Sequence, residues 1–183
     1  PIGIEVMRHG KDYFTDKCPV VSLQQLAEAK QAVSETEMKY AVCFSERLQN
    51  EAAEFARELV DDGVIGEVIQ VLGLGPHRLS KASRPAWFFE KDKYGGILCD
   101  IGSHQAEQFL TYSGNQQAEV IMARADNCAN PQTPELEDFG EFSLKGASGT
   151  SGYFRMDWFT PDGLRTWGDG RTTILGNKGF AQL

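Results

Sequence analysis

The chain has 183 residues and a mass of 20.3 kDa, with 41% hydrophobic, 10% aromatic and 24% charged residues. This composition is typical of a soluble globular domain and excludes disordered and fibrous proteins. Lysine and arginine total 18 against 26 aspartate and glutamate residues, so the formal net charge is -8. A field of that sign repels phosphate backbones and anionic lipids, and we expect neither nucleic acid nor a membrane as a partner.

The cysteines are widely spaced and include no C-x-x-C pair: Cys18, Cys43, Cys99 and Cys128. We therefore predict free thiols rather than zinc ligands or a disulfide framework. The longest apolar stretch, residues 64–75, is interrupted by polar side chains, and no segment resembles a signal peptide. A cytoplasmic location fits these features.

Both ends of the chain have the pattern of interrupted elements. Residues 2–10 resemble the last turns of a helix, because Arg8 and His9 suit its negative end and Gly10 suits the left-handed residue that follows. Residues 179–183 read as a short strand with no solvating tail after it. We therefore expect that both termini of a longer protein are missing.

Two strand-helix units follow Gly10 in the pattern. A strand over residues 12–17 precedes a helix opened by a capping box at Ser22, and a strand over residues 39–44 precedes a helix capped by Asn50. This alternation favours a parallel α/β unit through about residue 63. The apolar faces of the two helices are predicted at Leu23, Leu26, Ala29 and Val33, and at Ala52, Phe55, Ala56 and Leu59.

Beyond that point the pattern becomes α+β, and we divide the chain into residues 1–63 and 64–183. The second part begins with a strand over residues 67–74 and an irregular stretch that contains two prolines. One long helix is predicted from residue 95 to 112. Later strands are predicted over residues 118–125, 139–145, 153–159, 172–175 and 179–183, with a hairpin across residues 146–152.

Residues 73–78 (G-L-G-P-H-R) come close to the G-x-G-x-x-G fingerprint of dinucleotide-binding turns. Arginine occupies the position of the third glycine, and no helix follows whose amino end could hold a pyrophosphate. We interpret this segment as a strand that leaves its sheet through a flexible loop.

Residues 95–104 (G-G-I-L-C-D-I-G-S-H) place Asp100 and His104 four residues apart. On a helix this spacing puts both side chains on one face, where surface polarity, a metal pair and acid-base chemistry are all possible. The glycines favour a function, because a helix accepts them where something large approaches its backbone. A metal site lacks further ligands, since His9 and His77 do not have ligand spacing.

Lys17 follows the first predicted strand, at the edge where open α/β sheets bind their ligands. In a partly dry crevice a lysine loses some proton affinity and can serve as a hydrogen-bond donor or acid-base partner. A solvated surface lysine is the alternative interpretation.

In combination these motifs resemble the family of glucose-fructose oxidoreductase, inositol dehydrogenase and the rhizopine catabolism proteins. The resemblance rests on Asp16-Lys17, on the strand end at residues 45–47 and on the glycine-rich segment 95–104, and it extends from about Gly10 to the end of the chain. Residues 158–164 (W-F-T-P-D-G-L) resemble one oxidoreductase branch of that family. The family's Glu-Lys-Pro element is altered here, because aspartate replaces glutamate and Cys18 separates the lysine from proline.

The resemblance implies the C-terminal part of a Rossmann domain over residues 1–63 and an α+β domain with a mostly antiparallel open sheet over residues 64–183. It implies NAD or NADP as the cofactor and hydride transfer to or from a CH-OH group of a sugar, cyclitol or related polyol. It further implies a homo-oligomer assembled through the open sheet.

The resemblance also assigns roles to side chains. Lys17, Asp100 and His104 match the family's catalytic positions, with His104 as the base, Lys17 as the donor to the substrate oxygen and Asp100 as the orienting carboxylate. The predicted cofactor contacts are Lys17, Arg47 and Trp87, with Arg84 as a further candidate.

Two other functions remain open from the sequence. A non-catalytic sensor or assembly module could keep the fold and bind cofactor and sugar without turnover, although the retention of all three catalytic positions counts against it. A metal-dependent hydrolase or isomerase would use Asp100 and His104 as ligands or acid-base groups.

Overall fold

The structure is a computed structural model that describes residues 2–183. It contains two β-sheets, a parallel pair of strands and a six-stranded sheet. The first part of the chain forms α1 (Ile2–Arg8), β1 (Tyr13–Asp16), α2 (Leu23–Thr36), β2 (Tyr40–Cys43), α3 (Ser45–Leu48) and α4 (Glu51–Asp61). The rest forms β3 (Val68–Pro76), α5 (Lys91–Tyr94), α6 (Ile97–Asp100), α7 (Gly102–Ser113), β4 (Ala118–Asp126), β5 (Phe139–Gly146), β6 (Ser151–Asp157), β7 (Arg171–Gly176) and β8 (Phe180–Gln182), with 3-10 turns at Lys81–Ser83 and Ala86–Phe89.

The first part confirms the predicted strand-helix units. β1 and β2 pair in parallel, with Tyr13 opposite Tyr40. Ser22 caps α2 by accepting a hydrogen bond from the amide of Gln25 at 3.2 Å, and the Asn50 side chain accepts from two amides at the start of α4. The two helices therefore begin at the capping residues that the sequence predicts.

The predicted apolar faces of these helices are only partly correct. Leu23 is 85% exposed and Phe55 is 59% exposed, whereas Ala32 and Ala56 are buried. Side chains in a first helical turn lean back toward the amino end, which carries Leu23 past the residues on which α2 packs. Both helices make their close contacts through small residues, so their packed faces are rotated from the faces that the large apolar side chains suggested.

The six-stranded sheet has the order β4-β5-β6-β3-β7-β8, and every neighbouring pair is antiparallel except β3 and β6. This confirms the predicted mostly antiparallel open sheet and the β5-β6 hairpin. α7 covers one face of the sheet and buries Phe109 against Phe154, with their ring centroids 6.1 Å apart. The core of this part of the chain therefore lies between α7 and the sheet.

Glycines on the strands let α7 approach the sheet closely. A Cβ atom on Gly73 would lie 2.2 Å from the Gln105 amide oxygen of α7, and one on Gly152 would lie 2.7 Å from the Phe109 ring. β3 continues through Pro76 instead of turning into a phosphate-binding loop. The glycines of the near-fingerprint at residues 73–78 thus serve helix-sheet packing.

The single helix predicted over residues 95–112 is wrong as one element. Gly95 and Gly96 both have a φ of 82°, in the left-handed region where a helix cannot continue, and α6 and α7 are separated at Ile101. The His104 amide donates to the Ile101 carbonyl at 3.1 Å. The Asp100 carbonyl accepts instead from Lys17 Nζ, also at 3.1 Å, so a long-range contact accompanies the break in the helix.

Two further sequence expectations concern cysteines and membranes. All four cysteines are free, as predicted, and Cys128 is exposed while the other three are half-buried. Among the helices formed by residues 2–183, none has the length and apolar character needed to cross a membrane.

Candidate active site

A cavity of about 890 Å³ is lined by residues from the parallel strands, from α6 and α7 and from the six-stranded sheet. Lys17, Asp100 and His104 all line it, although Lys17 is 83 residues from Asp100 in the sequence. The structure therefore brings the three predicted catalytic side chains to one cavity.

Lys17 and Asp100 form an ion pair at the wall of the cavity. Lys17 Nζ lies 2.5 Å from Asp100 Oδ1 and 3.1 Å from the Asp100 carbonyl oxygen. The two side chains are only 19% and 16% exposed, so solvent screens their attraction weakly. Two acceptors from one residue hold the ammonium group in place and leave it able to donate to a further oxygen in the cavity.

His104 is 3% exposed and lies edge-on to Phe44, with their ring centroids 5.9 Å apart. Burial lowers the pKa of His104 below its ordinary value, while the nearby Glu46 carboxylate opposes part of this effect. Its Nδ1 is buried without a hydrogen-bond partner among the described residues. The imidazole is therefore neutral at neutral pH and able to accept a proton.

Glu46 and His77 belong to the same cavity, and neither is among the site residues predicted from the sequence. Glu46 Oε1 lies 3.2 Å from His77 Nε2, and Glu46 Oε2 accepts from the side-chain amide of Gln105 at 3.1 Å. Burial alone would raise the pKa of Glu46, but the His77 contact and the nearby His104 outweigh it and lower the pKa. A negative charge therefore lies close to the candidate base.

A signal for Glu46 was present in the sequence. Glu46 follows β2 just as Lys17 follows β1, and parallel strands bring their carboxyl ends to one edge. The pattern that indicates Lys17 after β1 therefore also indicates Glu46 after β2. His77 follows β3 in an irregular loop, where no local pattern indicates which way its side chain points.

The structure does not bring Arg47 to the cavity. Arg47 Nε donates to Glu107 of α7 at 2.8 Å, and Arg47 Nη1 bonds Glu54 of α4. Its side chain is 12% exposed, and these carboxylates occupy its donors. Arg47 therefore connects α3 to α4 and α7, and its position does not support the predicted contact with a cofactor.

Trp87 and Arg84 do line the cavity. Trp87 is 50% exposed and presents a flat apolar surface to the opening. Arg84 lies with its guanidinium carbon 4.4 Å from the Phe88 ring centroid and 5.1 Å from that of Trp158. All of the three tryptophans in the chain border this cavity.

Within residues 2–183, no group of three or more histidine, cysteine, aspartate or glutamate side chains is arranged to hold a metal ion. The Asp100 carboxylate, which a metal pair would need, is bonded to Lys17.

Comparisons with known proteins place these features in a family context. Residues 54–182 match the GFO/IDH/MocA C-terminal domain. A structure solved as a putative oxidoreductase from Erwinia carotovora atroseptica SCRI1043 is 51% identical, with a TM-score of 0.97 over 100% of this chain and 54% of its own. The comparison with curated proteins gave no match.

More distant structures share the fold. Myo-inositol 2-dehydrogenase from Lactobacillus plantarum has 19% identity and a TM-score of 0.81, covering 100% of this chain and 53% of its own. Levoglucosan dehydrogenase in complex with NADH has 20% identity and a TM-score of 0.85, covering 100% of this chain and 50% of its own. The chain thus spans about half the length of these structures. The match over most of its residues shows that the chain belongs to the GFO/IDH/MocA family.

Proposed function

We propose that the full-length protein is an NAD- or NADP-dependent oxidoreductase that transfers a hydride between the cofactor and a CH-OH group of a sugar, cyclitol or related polyol. The observation that carries this proposal is the convergence of Lys17, Asp100 and His104 on one cavity. Two structures with the same fold support it, a levoglucosan dehydrogenase with NADH and levoglucosan and a myo-inositol 2-dehydrogenase.

The residues on one side of the cavity fit a nicotinamide cofactor. β1 and β2 are parallel, and the residues that follow them, Lys17 and Ser45, border the cavity at the edge where such sheets bind nucleotides. Lys17 and the half-exposed Trp87 would contact the cofactor. Residues 1–63 would then be the C-terminal remainder of the nucleotide-binding domain, and residues 64–183 the substrate domain. When bound, the nicotinamide ring supplies the hydride acceptor or donor.

The side chains of the cavity include a base that can accept the hydroxyl proton of the substrate. An alcohol carbon that loses a hydride becomes a carbonyl carbon only if its hydroxyl proton also leaves, so a base is needed. His104 accepts this proton because its imidazole is neutral, and Lys17 donates a hydrogen bond to the same oxygen. Asp100 holds Lys17 at that position, and Glu46 stabilises the imidazolium that His104 becomes.

The outer face of the six-stranded sheet would form the homo-oligomer interface. Leu72, Leu175 and Met122 lie on the face opposite α7 and are each about 40% exposed. Exposed apolar groups on an open sheet mark interaction surfaces. Replacing Leu72 and Leu175 with aspartate should lower the molar mass measured by light scattering, and an unchanged mass would contradict this interface.

The activity is tested by mixing the full-length protein with NAD or NADP and a panel of polyols and following the absorbance of the reduced cofactor. Lys17→Met and His104→Ala should each lower kcat by roughly 10²- to 10⁴-fold, the usual contribution of a donor or general base. Lys11→Met, which removes an exposed lysine before β1, is the matched control.

The outcomes separate the remaining functions. Failure to bind either cofactor would refute the proposal. Binding of cofactor and polyol with no turnover across the panel would identify a non-catalytic sensor. Activity that is abolished by chelators and restored by a metal would identify metal chemistry.

A further inference from the structure

Three lysine or arginine side chains line the cavity, and two of them are paired with carboxylates. Among residues 2–183, Lys17 bonds Asp100 at 2.5 Å, and Arg171 bonds Asp169 at 2.7 Å. Arg84 lines the same cavity, yet no carboxylate of the described residues lies within ion-pair distance of it. Arg84 therefore presents positive charge that the surrounding residues leave unneutralised.

Arg84 is also fixed in position. Its Nε donates to the Leu79 carbonyl at 2.9 Å, and its guanidinium lies over the Phe88, Trp158 and Trp167 rings at 4.4, 5.1 and 5.5 Å. Its terminal nitrogens have no acceptor among residues 2–183. Burial lowers the pKa of Arg84, while Asp100 opposes this effect, and a guanidinium remains charged throughout the physiological range. The aromatic rings hold the cation but cannot satisfy those donors.

We propose that Arg84 binds an anionic substituent of the substrate, a carboxylate or a phosphate, so that the substrate is an acidic polyol derivative. This inference rests on the proposed function, because it names the chemistry of the polyol that enters the cavity. A guanidinium matches both anions, since its parallel N-H groups can bond two oxygens at once. Because the cation is already oriented and partly desolvated, little reorganisation accompanies binding.

The position of Arg84 favours the substrate over the cofactor. Arg84 lies in the loop after β3 and packs against Trp158, which directly follows β6. Both strands belong to the six-stranded sheet, whereas the ends of β1 and β2 would hold the nicotinamide, so Trp87, in the same loop as Arg84, would border both ligands. Arg84 lines the same cavity as Lys17, Asp100 and His104, so the anion subsite would belong to the cavity of the proposed catalytic residues.

Binding can be measured without turnover, because all three tryptophans border the cavity and their fluorescence reports on it. We would titrate the full-length protein with D-glucuronate, glucose 6-phosphate and myo-inositol, which carry a carboxylate, a phosphate and no charge. At least one anionic probe should bind the unmodified protein more tightly than myo-inositol. The probe that does so distinguishes a sugar acid from a sugar phosphate as the substrate class.

Arg84→Met should weaken binding of the preferred anionic probe by roughly 10- to 100-fold, the value of a charge-assisted hydrogen bond, and leave myo-inositol binding unchanged. Arg84→Lys keeps the charge without the planar stack and should retain part of the anion preference. Arg8→Met, which removes an exposed arginine at the end of α1, changes the net charge equally and should have no effect.

Two results would overturn the inference. They are equal binding of charged and neutral probes by the unmodified protein, and equal weakening of both by Arg84→Met. If Arg84→Met fails to fold, anion binding by Arg84→Lys that is as tight as in the unmodified protein would overturn it, because the two parallel N-H groups would then contribute nothing. Anion binding that depends on Arg84 without any reduction of NAD or NADP would refute the proposed function and leave the anion subsite standing.

Discussion

Replacing Asp100 with asparagine tests whether the charge of the ion pair, rather than the shape of the side chain, organises the cavity. Asparagine keeps an oxygen that can accept from Lys17 but removes the negative charge. Two unit charges 2.5 Å apart attract by about 7 kcal/mol at an effective dielectric constant of 20. The cost of desolvating the two groups cancels most of this attraction. Because both side chains remain partly exposed, we expect a net loss of about 1–3 kcal/mol in the free energy of unfolding.

The same change should lower kcat by about 10²-fold, because the ammonium group loses the partner that orients it toward the substrate oxygen. Urea denaturation measures the stability, and reduction of the nicotinamide cofactor measures the rate. Asp62→Asn, an identical change at an exposed position after α4, is the control and should change neither the free energy of unfolding nor kcat. An Asp100→Asn protein with unchanged stability and unchanged kcat would refute the role assigned to the pair.

Four more predictions concern pH, packing and Arg47. Burial lowers the pKa of His104 in the folded state, so the unfolded chain binds more protons than the folded chain when the pH falls through the ordinary histidine range. The free energy of unfolding should therefore decrease as the pH is lowered through that range. Glu46→Gln should lower that pKa further and move the acidic limb of the kcat/KM profile to lower pH; an unmoved limb would exclude electrostatic coupling of the two groups. Gly73→Ala should cost about 1–3 kcal/mol of stability in urea denaturation through overpacking under α7, whereas Gly163→Ala enters open space and should be neutral. Arg47→Met should cost about 2–4 kcal/mol by the same measurement without changing the KM for the cofactor, and a raised KM would restore Arg47 as a cofactor contact.

The sequence predicted the order and type of most elements because their signals are local. Ser22 and Asn50 cap helices through hydrogen bonds to amides two or three residues away, and those bonds are present in the structure. The strand predicted over residues 153–159 also has a local signal, because apolar and polar side chains alternate along it, and Phe154 and Met156 are fully buried in the structure. Short-range chemistry of this kind can be read without knowing the tertiary structure.

The errors arise where a distant residue decides the local outcome. The break between α6 and α7 accompanies a bond from Lys17 to the Asp100 carbonyl, which no local pattern contains. Arginine is a residue type that often contacts cofactors, but the Arg47 side chain is turned toward carboxylates on two other helices. The grouping of Lys17, Asp100 and His104 was expected only through family resemblance, since their spacing in the chain carries no information on their distance in space.

The two bonds that Lys17 makes to Asp100 couple the position of the proposed hydrogen-bond donor to the width of the cleft. Lys17 follows a strand of the parallel pair, and Asp100 ends the short helix next to α7, so the pair connects two different parts of the cavity lining. Any motion that separates the walls to admit a substrate must stretch both bonds, and any motion that restores them returns the ammonium to its place. In the proposed reaction, closing the cleft and positioning the hydrogen-bond donor would therefore occur together, and a variant that holds the cleft open is expected to be inactive although it keeps Lys17, Asp100 and His104.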